Sequence, residues 1–193
     1  MLFADYNDTY RLYHVACISD LKSIFNGGLK FDRRSSYANK YLSFHEFMDK
    51  NRTGNVPEWV MRKRSLFASI NYREDQIWHS HSAILAIKVN EDRCWVADEN
   101  TANFLYEPFI LKNISGFASL SDFLYNKGKE IAEDYWLRSM SFKDYLSKRK
   151  PVGSDYDAEV LIMSDIKPAD IELLAIVTDH RIITVDAFNK TYR

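Results

Sequence analysis

The chain has 193 residues, 46% hydrophobic and 27% charged, with a formal charge of −1. That length suits one domain with a full core, and the balanced charge excludes a protein built to coat nucleic acid by charge alone, though not a local basic patch. No run nears the ~18 apolar residues of a membrane span, the opening MLFADYNDTY lacks a signal pattern, and two cysteines are too few for a disulfide framework, so a cytoplasmic protein with no membrane partner is expected.

Residues 1–10 read as a polar lead-in. Residues 12–16 (LYHVA) alternate as a short strand that carries His14. Ser19 is placed as the N-cap of a helix whose Leu21, Ile24 and Phe25 form an i, i+3, i+4 apolar stripe. Gly27 and Gly28 end it, because glycine enters the left-handed region without steric cost. Residues 30–50 are basic, aromatic and weakly periodic, giving a loop through Ser36 and then a short extended or helical piece over 41–47. A polar turn over 51–56 leads to Pro57 at the first position of a short helix over 58–64, with Trp59 and Val60 facing inward. Residues 65–72 alternate as a strand.

AILAIKV at 83–89 is the clearest strand signal, and 94–97 is its expected partner across the polar turn 90–93. Cys17 and Cys94 read as buried strand thiols. A short helix is expected within 98–106. A longer one over 121–138 carries Phe123, Leu124, Ile131, Tyr135 and Trp136, weakened or split at Gly128. Residues 141–148 open with Ser141 and Asp144 in capping-box spacing. A turn-rich loop over 151–157 precedes a strand at 158–163, a single turn seeded by Pro168, and strands at 172–178 and 181–185. Strands at both ends around inserted helices make one α+β domain over 1–193, with a mixed or antiparallel core.

Four features could carry chemistry. His14 on its own reads as a satisfied structural histidine. Glu159 lies in DAEVLIM, where an unpaired charge is costly to bury; alternation puts it on one face with Leu161 and Met163, opposite Val160 and Ile162, so a cleft competes with plain solvent exposure. Arg33, Arg34, Arg52, Arg62, Lys63 and Arg64 are interleaved with Tyr37, Tyr41, Phe44 and Trp59, a mix suited to phosphates and flat bases. His79 and His81 would share a strand face, but spacing supplies no third ligand, so no metal is expected. Glycine-rich phosphate loops, G-x-S-x-G elbows and kinase signatures are absent.

Two segments together resemble the ADP-ribosyltransferase superfamily, closest to its DarT-like branch, which modifies DNA. LYHVACISDLKSIFNGGLKFDRR is similar to that family's first strand and helix, and DAEVLIMSDIKPADI to the strand bearing its catalytic glutamate. The resemblance implies a split, mostly antiparallel β core with peripheral helices that clamps NAD as co-substrate. It implies that Glu159 orients the ribose and stabilises the cationic sugar formed as nicotinamide leaves, with Arg62 or Arg64 serving the site. His14, Tyr13, Ala16, Arg33, Arg34 and Ser69 would line the cofactor side. Ala16 stands where the branch usually has threonine. The implied protein is a toxin or effector that modifies single-stranded DNA or RNA, with an antitoxin or immunity partner. A protein acceptor, a catalytically silent nucleotide- or partner-binding module, and a phosphate-handling enzyme using His14 are the competing readings.

Overall fold

The computed structural model describes residues 3–31, 36–72, 81–148, 156–179 and 181–191. Eight strands form one open sheet: β1 (Leu12–Cys17), β2 (Leu66–Ser69), β3 (Ser82–Ile87), β4 (Cys94–Asp98), β5 (Met140–Ser141), β6 (Ala158–Ile162), β7 (Ile171–Thr178) and β8 (Arg181–Thr184). Their order is β5-β4-β6-β2-β1-β3-β7-β8, and each neighbouring pair runs antiparallel. Around it stand α1 (Tyr6–Thr9), α2 (Leu21–Gly27), α3 (Ser36–Lys50), α4 (Glu99–Leu111), α5 (Ser119–Phe123), α6 (Lys129–Leu137), α7 (Phe142–Lys148) and α8 (Val185–Thr191).

Pairing within the sheet is uneven. β1 meets β3 at six register positions, from Leu12 opposite Ile87 to Cys17 opposite Ser82, and β2 meets β6 at four. β1 and β2 meet at one alone, Tyr13 opposite Ser69. The sheet is thus two well-laddered halves, β5-β4-β6-β2 and β1-β3-β7-β8, joined by a thin seam.

Packing follows the same division. One face carries a continuous apolar cluster across both halves: Leu12, Ala16, Leu85 and Ile87 on one side of the seam, Ala68, Val96, Val160 and Ile162 on the other. The opposite face carries two. Trp95, Ala97 and Leu161 pack under α3, α4 and α6, while Tyr13, Tyr72, Ile84, Ala86, Ala175 and Val177 form a separate group on the other half. Between these two, Val15 is 41% exposed although its strand has neighbours on both sides.

Several local expectations give way to tertiary demands. The lead-in contains α1, whose Tyr6 is buried edge-on against Phe142 and donates its hydroxyl to Glu91 Oε1 at 2.8 Å. Strands 83–89 and 94–97 do not pair: β3 lies between β1 and β7, and β4 between β5 and β6. The turn between them is a 3₁₀ segment over Glu91–Arg93, in which the Asn90 side chain accepts from the Asp92 N–H at 3.1 Å, and it carries the chain between the two halves. Both strands are buried at every position, so each needs partners on both edges. Ser19 does not cap a helix; a 3₁₀ turn over Ile18–Asp20 leads into α2, and Phe25 stays 39% exposed. Residues 36–50 form one continuous helix, and the helix expected over 58–64 is reduced to a 3₁₀ turn over Arg62–Arg64. The long helix over 121–138 does break, passing through a π segment over Leu124–Gly128; a Cβ on Gly128 would sit 3.1 Å from Leu124 Cδ2. Ser141 and Asp144 make the expected capping contact at 3.1 Å. Cys94 is buried but Cys17 is exposed. Parts of the 151–157 loop lie outside the described residues.

Of the two glycines that end α2, only Gly28 is structurally required. It holds φ 78°, and a Cβ there would stand 2.1 Å from the Ile166 carbonyl oxygen, whereas Gly27 has nothing within 4 Å. Gly28→Ala is therefore expected to lower unfolding free energy by about 1–3 kcal/mol. Gly27→Ala should be neutral or stabilising by up to about 1 kcal/mol in urea denaturation.

Candidate active site at a buried arginine–glutamate pair

Arg62 is the residue most at odds with its composition. It is one of nine cations between residues 30 and 64, yet only 5% of its surface is exposed. The 3₁₀ turn that carries it is held by Asp49 of α3, whose carboxylate accepts the Arg62 N–H at 2.8 Å and the Lys63 N–H at 3.1 Å. Burial pushes the Asp49 carboxyl up, and these two donors pull it back. From that anchor the guanidinium enters the layer between the sheet and α3 and α6. Nη1 bonds Glu159 Oε1 and the Tyr135 hydroxyl; Nε donates to His45 Nδ1 at 3.3 Å. The guanidinium carbon lies 4.8 Å from the Phe67 ring centroid and 5.2 Å from that of Tyr135.

Glu159 is 6% exposed and belongs to β6, opposite Ser69 of β2 and Ala97 of β4. The face expected from alternation is the one observed: Leu161 and Met163 join the cluster beneath α3, α4 and α6, and Val160 and Ile162 join the other. The Tyr135 hydroxyl donates to Glu159 Oε1 at 2.8 Å. Arg62 and Tyr135 thus both use Oε1, and among the described residues no hydrogen bond reaches Oε2. That oxygen is available to a further donor.

Burial opposes the charge on Arg62, but Glu159 and Tyr135 outweigh it and the net direction is up, so the guanidinium stays protonated. Burial and then the Arg62 charge push His45 down to about 3, which keeps its Nδ1 an acceptor for Arg62. His45 also stacks on Phe67 at 5.1 Å.

Phe67 links this array to the seam. Its carbonyl oxygen is 2.7 Å from His14 Nδ1. Because a carbonyl can only accept, Nδ1 carries the proton and Nε2 keeps a lone pair. Burial pushes the imidazole pKa down while the Phe67 carbonyl works the other way, and the net direction favours the neutral ring. His14 thus closes against the β1–β2 seam, on the face of Leu12 and Ala16 by alternation and not that of Glu159, with Nε2 as an acceptor. β2 lies between the strands that bear His14 and Glu159.

No protein-family model, curated protein or solved structure matches this chain.

The structure brings together Glu159, Arg62 and Ser69 and sets His14 at the adjoining seam. Arg64 is exposed, with its guanidinium 5.7 Å from the Phe31 ring, and is not brought to Glu159. Tyr13 is buried against Phe3 and Tyr72, its hydroxyl donating to the Ala4 carbonyl at 2.7 Å, and Ala16 packs in the core of the opposite face. Arg33, Arg34, the Tyr37 side chain and His79 lie outside the described residues; His81 sits in a turn with φ 66°. Arg52 donates to the carbonyls of Glu58 and Val60 at 3.1 and 2.6 Å, closing its own loop. A separate cavity of about 300 Å³ between α3 and α4 shares Phe44 with the Arg62 surroundings and has Lys112 at its wall.

Four functional candidates were missed in the sequence: Tyr135, His45, Asp49 and Glu99. The first three had no local signal, because they matter only through Arg62. Glu99 opens α4; burial, then Glu159 and Asp157, push its carboxyl up to about 7.

Removing one partner of a buried ion pair strands the other. Arg62→Ala should cost about 3–5 kcal/mol of stability, and the double variant Arg62→Met with Glu159→Leu should recover most of that loss in chemical denaturation. Glu99 gives a pH test. Its folded pKa lies above the ordinary 4.5, so as pH rises from about 4.5 to about 7 the unfolded chain releases this proton first and stability falls. Glu99→Gln should remove that part of the decline, read as a smaller drop in urea midpoint between about pH 5 and about pH 8.

Proposed function

We propose that the chain is an NAD-dependent mono-ADP-ribosyltransferase. The observation that carries this reading is Glu159: a carboxylate fixed through Oε1 by Arg62 and Tyr135, with Oε2 unclaimed among the described residues. Cleavage of the nicotinamide–ribose bond leaves an oxocarbenium-like sugar, and a preorganised carboxylate stabilises such a cation without having to reorient. In this reading Oε2 accepts from a ribose hydroxyl and faces the developing positive charge. Arg62 positions the carboxylate and does not touch the dinucleotide. Ser69, on the face of Glu159, binds NAD at the seam as donor or acceptor, and His14 Nε2 reaches the dinucleotide through the seam as an acceptor. The weak β1–β2 joint and the divided apolar face on either side of it supply the opening into which the dinucleotide enters.

The proposed acceptor is single-stranded nucleic acid. Lys63 and Arg64 support it, since they remain exposed beside the site, with the Phe31 ring against Arg64 as a stacking surface. Arg52 and Arg62 do not contribute, being tied to their own loop and to Glu159. A cytoplasmic enzyme of this kind requires an antitoxin or immunity partner to restrain it, which is part of the proposal.

The test is nicotinamide release from NAD, with single-stranded DNA, RNA and total protein supplied separately and acceptors weighed for one added ADP-ribose. Glu159→Gln should reduce release about 10²–10³-fold. His14→Ala should raise KM more than it lowers kcat, as expected of a binding group. No nicotinamide from the wild-type chain with any acceptor, or an unaffected Glu159→Gln variant, would count against the reading.

A further inference from the structure

Transfer of a sugar to an acceptor X–H leaves a proton to be removed. Glu159 is ill suited to take it, since Oε1 is held by two donors and the group is needed as an anion against the sugar cation. The other carboxylate on that face is found by following the β4–β6 ladder. After the last register pair, Asp98 opposite Ala158, the Glu99 N–H donates to the Asp157 carbonyl at 2.7 Å. Alternation then puts Glu99 on the face of Ala97 and Glu159, one diagonal step from Glu159, roughly 7–8 Å in an antiparallel pair.

We infer that Glu99 is the general base that receives the acceptor's proton, an assignment that rests on the transferase reading above. Glu99 is half-buried at the first position of α4, and the Asn103 side chain one turn on pulls its carboxyl down against burial. The charged and titratable groups that act on it are Glu159 and Asp157, which raise its carboxyl, and Arg62, which lowers it, while its own charge raises the Tyr72 hydroxyl. Glu99 therefore stands at the end of the β4–β6 ladder, on the face of Glu159 and beside the carboxylate that would hold the sugar. Its carboxyl, pushed up to about 7, is matched to accepting a proton and releasing it near neutral pH.

The step balances without a redox partner. The C1′–N bond breaks and its electron pair leaves with nicotinamide. A lone pair on X forms the bond to C1′, and the X–H proton passes to the Glu99 carboxylate and then to solvent.

Two readouts isolate this step. Exchange of labelled nicotinamide into NAD needs cleavage and return but no proton acceptor, whereas forming ADP-ribose on water, or a conjugate on single-stranded DNA as probe, needs both. Wild type, Glu99→Gln and Glu159→Gln are compared from about pH 5.5 to about 8.5. Glu99→Gln should keep exchange within about threefold, form product about 10²-fold more slowly, and lose the rise in product formation through about pH 7. Glu159→Gln should lose both activities. Product formation by Glu99→Gln at the wild-type rate and pH profile would overturn the assignment, as would loss of exchange along with product. Wild-type product without exchange would also overturn it, since proton removal could not then limit capture. A wild-type chain with neither activity refutes the transferase reading itself. Urea midpoints, expected to be at least as high for Glu99→Gln as for wild type, separate these results from misfolding.

Discussion

A guanidinium buried to 5% exposure is the constraint around which half of this molecule is arranged. Desolvating it costs several kcal/mol, and Glu159 offsets that cost only if geometry and hydrogen bonding are maintained. The contacts of Arg62 therefore draw on four elements: Asp49 and His45 from α3, Phe67 from β2, Tyr135 from α6 and Glu159 from β6. A shift of any of them leaves a charge or donor stranded in a dry layer. A hydrophobic replacement could fold as stably, so the pair is better explained by the fixed carboxylate it produces than by the stability it adds.

The seam supplies the complementary feature. Strand edges in the middle of a sheet normally pair fully, because buried N–H and C=O groups need partners. Here β1 and β2 share one register pair, and the Phe67 carbonyl is satisfied by a histidine ring instead of a neighbouring amide. The arrangement holds because the apolar cluster on the opposite face is continuous across both halves and ties them together. One face is closed and the other divided, so the sheet can present an opening without losing its core. Phe67 couples the two features, its ring against Arg62 and its carbonyl on His14.

The strands were largely legible because period-2 alternation survives tertiary packing. The face of Glu159 followed directly, since Leu161 and Met163 had to lie with it. Strand order was not legible: residues 83–97 have the look of a hairpin, and only the burial of β3 and β4 at every position separates them into different halves. Arg62 could be nominated but not chosen. Its neighbours Lys63 and Arg64 are the same in charge and local setting, and the choice is made by Asp49, 13 residues earlier, which fixes the turn so that one of three consecutive cations points inward. Tyr135 and Glu99 sit in segments that read correctly as helix and gave no sign of a polar role. A helix pattern reports which face is apolar, and both residues act through partners on distant strands.

Electrostatics join the two proposed roles. Glu159, Asp157 and Glu99 share one end of the β4–β6 ladder with, among the described residues, one buried guanidinium as counter-charge, so the local field is set to favour a cation. Burial first, and then the like charges of Glu159 and Asp157, push the Glu99 carboxyl up to about 7, while Arg62 is committed to Glu159. A sugar cation arriving at Oε2 would add positive charge to this field and hold Glu99 as the anion. As the new bond neutralises that cation, the Glu99 pKa would rise again and favour uptake of the acceptor's proton. The stabilising group and the base would then be coupled through charge alone, with Arg62 deciding which carboxylate is fixed and which is left to titrate.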